Sequence, residues 1–307
     1  MHTAYITHPL CHRHDNGPDH PECAARLSAI EDQLIASGLY HYLQLHEATP
    51  ASREQLLRVH DRAYLDRIEA AVPARGLLHL EDDITLSPMS WQAALHAAGA
   101  VVNGVDLVMA GEAENAFCAI RPPGHHAMRN RAMGFCIFNN IAVGAAHALA
   151  HHGLARVAIV DFDVHHGNGT EDIVRDDARI LFCSTFQHPF YPGCGADSGN
   201  EHVINVPLAA GTGGEAFRQA VSEHWLPALH QFRPQLLLIS AGFDAHLEDD
   251  MAMLRLKEAD YAWVTAEIKD IAERYANGRI VSALEGGYAL NALGRSAVAH
   301  IKTLSGL

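Results

Sequence analysis

Several features that would point to a function by themselves are missing from this chain. No apolar run reaches the roughly 18 uninterrupted residues that a membrane helix needs, so no spanning segment and no membrane partner are expected. The N-terminus, Met-His-Thr-Ala-Tyr-Ile-Thr-His, has neither the basic nor the apolar stretch of a secretory signal. None of the six cysteines stands in a Cys-x-x-Cys pair, which excludes the usual zinc-finger and dithiol spacings. Two of them, Cys118 and Cys183, lie in apolar runs and read as buried thiols, a pattern that fits a reducing cytoplasm. Positive charge is scarce: 22 Lys and Arg face 36 Asp and Glu, for a net charge of -14. Such a chain is poorly suited to a nucleic-acid backbone. Its field can steer cationic substrates, although solubility is the plainer use. No Pro/Gly/Ser-rich linker, low-complexity tract, charge block or repeat marks a boundary, so residues 1–307 are expected to form one domain.

What is present is a large apolar fraction, 49%, enough for a sizeable core. Short β-branched runs read as buried strands at Tyr5–Thr7, Phe117–Ile120, Val157–Phe162, Ile180–Thr185, Val203–Val206, Leu236–Ser240 and Ile280–Leu284. Between them, helical periodicity marks Pro21–Ala36, Ser52–Val59, Tyr64–Val72, Ser90–Ala110, Asn139–His152, Gly214–His230, Glu258–Tyr275 and Leu290–Leu304. This alternation predicts a three-layer α/β/α sandwich around a mostly parallel sheet.

Several strands end in chemically loaded residues, and ligands of open α/β sheets sit beyond such ends. Asp163 and His165 are two apart after one strand and so share a side of the extended chain. With Asp244 from another strand they form a three-donor set for a divalent metal that leaves a fourth position for water. Iron, cobalt and manganese would accept the same donors as zinc. The plainer alternative makes Asp163 a helix cap and His165 a core residue. Asp161 and Asn168 are placed to orient His125 and His126, which follow a stiff Arg121-Pro122-Pro123-Gly124 loop suited to proton transfer. Tyr288, after Gly286-Gly287, can donate to a developing oxyanion. The early histidines His2, His8, His12, His14 and His20 read as loop residues near a pocket mouth.

Together, the segments Arg121–Ala127, Met133–Asn140, Asp161–Thr170, Ser240–Asp244 and Leu284–Tyr288, with His20-Pro21-Glu22 and Arg26, resemble the histone deacetylase family of the arginase/deacetylase fold. Asn168 and Tyr261-Ala262-Trp263 are closer to class II and bacterial class II-like members. The resemblance implies one Zn²⁺ on Asp163, His165 and Asp244, His126 as general base and then acid with His125 as its partner, and Tyr288 on the substrate carbonyl. It implies an acyl-lysine tunnel of Gly134, Phe135, Tyr191, Met251 and Gly286, and Arg26 near an acetate exit. It further implies a structural K⁺ on Asp161, Asp163, His165, Ser184 and Thr185. The implied partner is an N-acetylated amine, either acetyl-lysine or, if an acidic residue of Glu248–Asp250 takes the place of Met251, an acetylpolyamine. Asp82 and Asp83 are candidates for a rim contact with substrate or plain solvated charges. A binuclear arginase-type site would need a carboxylate where Gly167 stands. A non-catalytic acyl-binding protein would be expected to lack the tyrosine or a metal ligand. Oligomeric state is left open.

Overall fold

A computed structural model describes residues 3–81 and 83–307. Its strands are β1 (Thr3–Thr7), β2 (Leu43–Glu47), β3 (Leu78–Glu81), β4 (Ile84–Leu86), β5 (Asn115–Cys118), β6 (Val157–Asp161), β7 (Ile180–Gln187), β8 (Val203–Leu208), β9 (Leu236–Ala241) and β10 (Ile280–Leu284). β3 and β4 pair as a small antiparallel hairpin. The other eight form one sheet in the order β2-β1-β5-β10-β9-β6-β7-β8, and every neighbouring pair in it is parallel. The central strands β5, β6, β9 and β10 are buried along their whole length. Continuous runs such as Leu-Leu-Leu-Ile in β9 reflect this burial, since both faces of a parallel sheet are covered.

The cover is two helical layers. Helix Ala25–Ala36 packs on Leu290–Ser305, which packs on Glu258–Tyr275. On the other face, Ser90–Ala110 packs on Asn140–Ala150 and on β1, β5 and β10. Among the described residues, Ser90–Ala110 is the one helix long and apolar enough to cross a membrane, but two thirds of its most apolar window is buried inside the fold. The architecture is the three-layer α/β sandwich expected from the alternation.

Departures from the sequence reading have local causes. The first long helix starts at Ala25, not Pro21, because residues 21–24 turn the Glu22 side chain into the interior. The helix read as Gly214–His230 widens into a π-turn at Val221–Trp225 and continues to Phe232. β2 has no clear sequence signature because it is a half-covered edge strand, with Leu45 52% exposed.

Helix Ser90–Ala110 presses Gly99 against the Thr49–Ala51 backbone, where an added Cβ would lie 1.8 Å from the Thr49 carbonyl oxygen. Gly99→Ala should therefore destabilise by about 1–3 kcal/mol, despite the better helix propensity of alanine. Urea unfolding reads this directly; a stabilised variant would refute the tight contact.

Candidate active site

The four central neighbours β5, β10, β9 and β6 carry the site. Beyond β5 come Arg121 to His126, beyond β6 Asp163 and His165, beyond β9 Asp244, and beyond β10 Glu285 to Tyr288. Strands β9 and β10 insert late in the chain between β5 and β6, so segments distant in sequence meet at one sheet edge.

Asp163, His165 and Asp244 are buried and each offers a donor atom within 4.8 Å of the others. His165 Nδ1 lies 3.0 Å from Asp163 Oδ1 and 3.2 Å from Asp244 Oδ2. The backbone N–H groups of His165 and Gly286 donate to the two oxygens of Asp163 at 2.8 Å, and Val164 N–H donates to Asp244 Oδ1 at 3.0 Å. Asp244 Oδ2 is left buried with no hydrogen bond. Burial and the neighbouring Asp163 charge push the Asp244 pKa up to about 6. A carboxylate oxygen aimed at two other donors, without a proton donor of its own, is what a cation site requires. An added Cβ at Gly286 would sit 2.0 Å from that same oxygen, so only glycine lets the β10 loop close over the site.

The two adjacent histidines have different partners. His125 Nδ1 donates to Asp161 Oδ2 at 2.9 Å, and its Nε2 is 3.8 Å from Asp163. Burial opposes charge on His125, but Asp161, Asp163 and Glu285 outweigh it and raise its pKa well above the usual value. His126 Nδ1 donates to the side-chain oxygen of Asn168 at 2.7 Å. Burial, then the positive charges of His125 and His165, push the His126 pKa well down. Because an amide oxygen only accepts, the Nδ1 proton is fixed and Nε2 of His126 keeps a free lone pair. His166 turns away, bonding Glu171 at 2.7 Å.

A cavity of about 280 Å³ opens above these groups, lined by Asp83, His126, Gly134, Phe135, His165, Phe190, Tyr191, Met251 and Tyr288. Phe190 stacks on His165 and Tyr191 stands edge-on to His126. Phe135 faces Tyr288 at 6.1 Å. Of the early histidines, His20 packs edge-on against the cavity-wall residue Phe135 without lining the cavity itself, His14 is buried against Ser90, and His2 lies outside the described residues.

A histone deacetylase domain model matches residues 20–304. The chain belongs to the histone deacetylase family. It is 44% identical to the histone deacetylase-like amidohydrolase of Pseudomonas aeruginosa over 94% of this chain and 76% of that one. It is 37% identical to a probable deacetylase of Archaeoglobus fulgidus, over 94% and 82% of the two chains. The crystal structure of the HDA15 HD domain superposes with a TM-score of 0.94 at 33% identity, covering 99% of this chain and 88% of that one.

Within this family member, several supporting residues have no sequence signal. Asp249 accepts from the backbone N–H groups of Tyr288 and Ala289, at 2.6 and 3.0 Å, and so fixes the tyrosine. Inside the run Glu248-Asp249-Asp250 nothing marks it out. Glu285 accepts from Gly124 N–H and His125 N–H and from Ser240 Oγ, tying the histidine loop to β9 and β10. Its place between a buried strand and two glycines is the one available hint. Asp83 accepts from Gly134 N–H at 2.8 Å and Tyr191 Oη at 2.7 Å. It therefore clamps two cavity walls together, which corrects the reading of a solvated charge; Asp82 lies outside the described residues. Ser184 pairs with Asp161 in the β6–β7 register, and Thr185 comes next, buried.

Beneath the site, Glu22, Arg26 and Arg121 are fully buried. Arg121 grips both oxygens of Glu22, while Arg26 reaches Glu22 and the carbonyls of Glu285 and Gly287. Burial opposes ionisation of Glu22, but Arg121 and then Arg26 overcome it and hold its pKa down at about 2, from 4.5. The depressed pKa means this carboxylate stabilises the fold fully above pH 4.5, and that contribution is lost as pH falls towards 2. Glu22→Gln should cost about 3–5 kcal/mol at neutral pH, since it leaves buried cations underpaired. The gap between parent and variant should narrow by about 3 kcal/mol as pH falls through that window. Urea unfolding of both proteins across pH 2.5–7 (about half a unit per step) checks this; parallel curves would place the acid sensitivity elsewhere.

Proposed function

We propose that this deacetylase-family amidohydrolase is zinc-dependent and removes acetyl or short acyl groups from the ε-amine of lysine or a similar N-acetylated amine. The observation that carries the reading is the unpaired, buried Asp244 Oδ2 beside His165 Nδ1, at the base of an aromatic-walled cavity. Asp163, His165 and Asp244 would hold the ion; the imidazole-and-carboxylate donor set suits zinc. Bound there, Zn²⁺ would supply Lewis acidity towards a water and an amide carbonyl.

The remaining steps belong to the chain. Phe135, Phe190 and Tyr191 fit an acyl-alkyl chain and exclude water around it. His126 Nε2 accepts the proton of the attacking water, and Asn168 keeps the ring in the required tautomer. His125, tied to Asp161, carries the neighbouring positive charge. Tyr288 Oη donates to the developing oxyanion. The proton held on His126 then passes to the leaving amine, giving acetate and free amine. The K⁺ set of Asp161, Asp163, His165, Ser184 and Thr185 is part of the same proposal, supported by the adjacency of β6 and β7.

For the substrate, Met251 lines the cavity, while Glu248 is paired with Arg295, Asp249 is spent on backbone N–H groups, and Asp250 is exposed and does not line the cavity. That favours acetyl-lysine over an acetylpolyamine, whose second cation would need a free carboxylate at the mouth. An arginase-type binuclear site is disfavoured by space as well as chemistry: a Cβ at Gly167 would lie 2.3 Å from Asp161 Oδ2.

Zinc-loaded protein should hydrolyse an acetyl-lysine peptide faster than acetylpolyamines, and chelation should abolish the activity until zinc is restored. Inactivity on every N-acetyl amine would favour a binding protein instead. Tyr288→Phe should lower kcat by about 10²–10³ with zinc content unchanged; near-parental turnover would remove the hydroxyl from the chemistry.

A further inference from the structure

Away from this site, the end of helix Asn140–Ala150 and the flank of helix Ser90–Ala110 gather Asp106, His147, His151 and His152. One donor atom from each lies within 4.8 Å of the others. His147 Nε2 and His152 Nε2 both reach Asp106 Oδ1 at 2.7 Å. The rings of His147 and His151 stack at 4.9 Å, and those of His151 and His152 meet edge to face at 4.9 Å. Helix Asn140–Ala150 begins beside the active site, where Asn139 bonds the Ala127 carbonyl. At 1.5 Å per residue its far end is about 16 Å away. The cluster therefore shares no residue with the catalytic donors.

We propose that these four side chains form a second, independent site for a divalent transition metal of the zinc, nickel or copper class, linking the two helices. Three imidazoles and one carboxylate are donors that such ions take. His147 and His151 are four apart and share a helix face. The helix C-terminus places partial negative charge beside the ion. Tetrahedral donors at about 2.0–2.1 Å from zinc stand roughly 3.3 Å apart, so donors now within 4.8 Å of one another need to draw together by no more than about 1.5 Å. His151 is exposed and Asp106 and His152 are half-buried, which leaves a path from solvent.

One neighbour opposes binding. Arg58 Nη1 donates to His147 Nδ1 at 3.2 Å, so the ring proton sits on Nε2 and points at Asp106. A metal on Nε2 forces that proton onto Nδ1, facing the guanidinium. Arg58 must then swing towards Glu54, which its Nη2 already meets at 3.2 Å. Loss of the guanidinium should strengthen the site.

The test is zinc stoichiometry by equilibrium dialysis and elemental analysis on the full chain. The parent should bind one equivalent more than the His151→Ala/His152→Ala double variant, and one more than Asp106→Asn. Deacetylase turnover of both variants should match the parent. Arg58→Gln should bind the extra equivalent more tightly than the parent. The difference is counted between proteins, so it stands whether or not the catalytic site takes zinc. Equal stoichiometry in parent and variants overturns the proposal, leaving Asp106 as a hydrogen-bond anchor for two histidines.

Discussion

Buried negative charge is the constraint around which this molecule is arranged. Asp161, Asp163, Asp244, Asp249 and Glu285 all lie out of solvent near one sheet edge, with Glu22 below them. An ionised carboxylate in such a place must find hydrogen-bond donors, a cation or a proton. Glu22 has two guanidinium groups, Asp161 has His125, and Asp249 and Glu285 have backbone N–H groups. Burial still pushes Glu285 up to about 7. Asp163 and Asp244 share His165 as their nearest side-chain donor, and Asp244 Oδ2, although 3.2 Å from His165 Nδ1, makes no hydrogen bond. That uneven coverage is the physical basis for proposing a cation at this corner and not at the other carboxylates.

The histidine pair obeys the same logic. His125 and His126 are consecutive, yet one faces a carboxylate and the other an amide. The carboxylate of Asp161 draws the positive charge to His125. Asn168 directs the His126 proton without attracting a second one. Two imidazoles whose environments drive their pKa values apart suit the proposed division between a charged neighbour and a neutral base.

How much of this is legible in the chain depends on range. The central strands are legible because burial on both faces makes them continuously apolar, and the residues after them stand out for the same reason. The edge strand β2 lacks that signature. Residues that act through the backbone are the harder class. Asp249 and Asp83 are acidic residues in polar surroundings, and only the fold shows that one bonds the amides of Tyr288 and Ala289 and the other spans Gly134 and Tyr191. Likewise residues 21–24 continue the helical pattern of the segment Ala25–Ala36. Two buried arginines pull on Glu22 and override local propensity there, and for Arg121 that contact spans nearly a hundred residues of chain.

Space, finally, limits the chemistry as firmly as charge does. The loops after β6, β9 and β10 converge so closely on Asp161, Asp163 and Asp244 that glycine is the only residue that fits at several contacts. At Gly242 an added Cβ would stand 2.0 Å from Asp163, and at Gly167 2.3 Å from Asp161. A further ligand for a second ion could not be introduced at position 167 without displacing the carboxylate that orients His125. The packing that brings three donors together thus also opposes a carboxylate at position 167, because such a change would forfeit the His125–Asp161 contact on which the asymmetry of the two histidines rests.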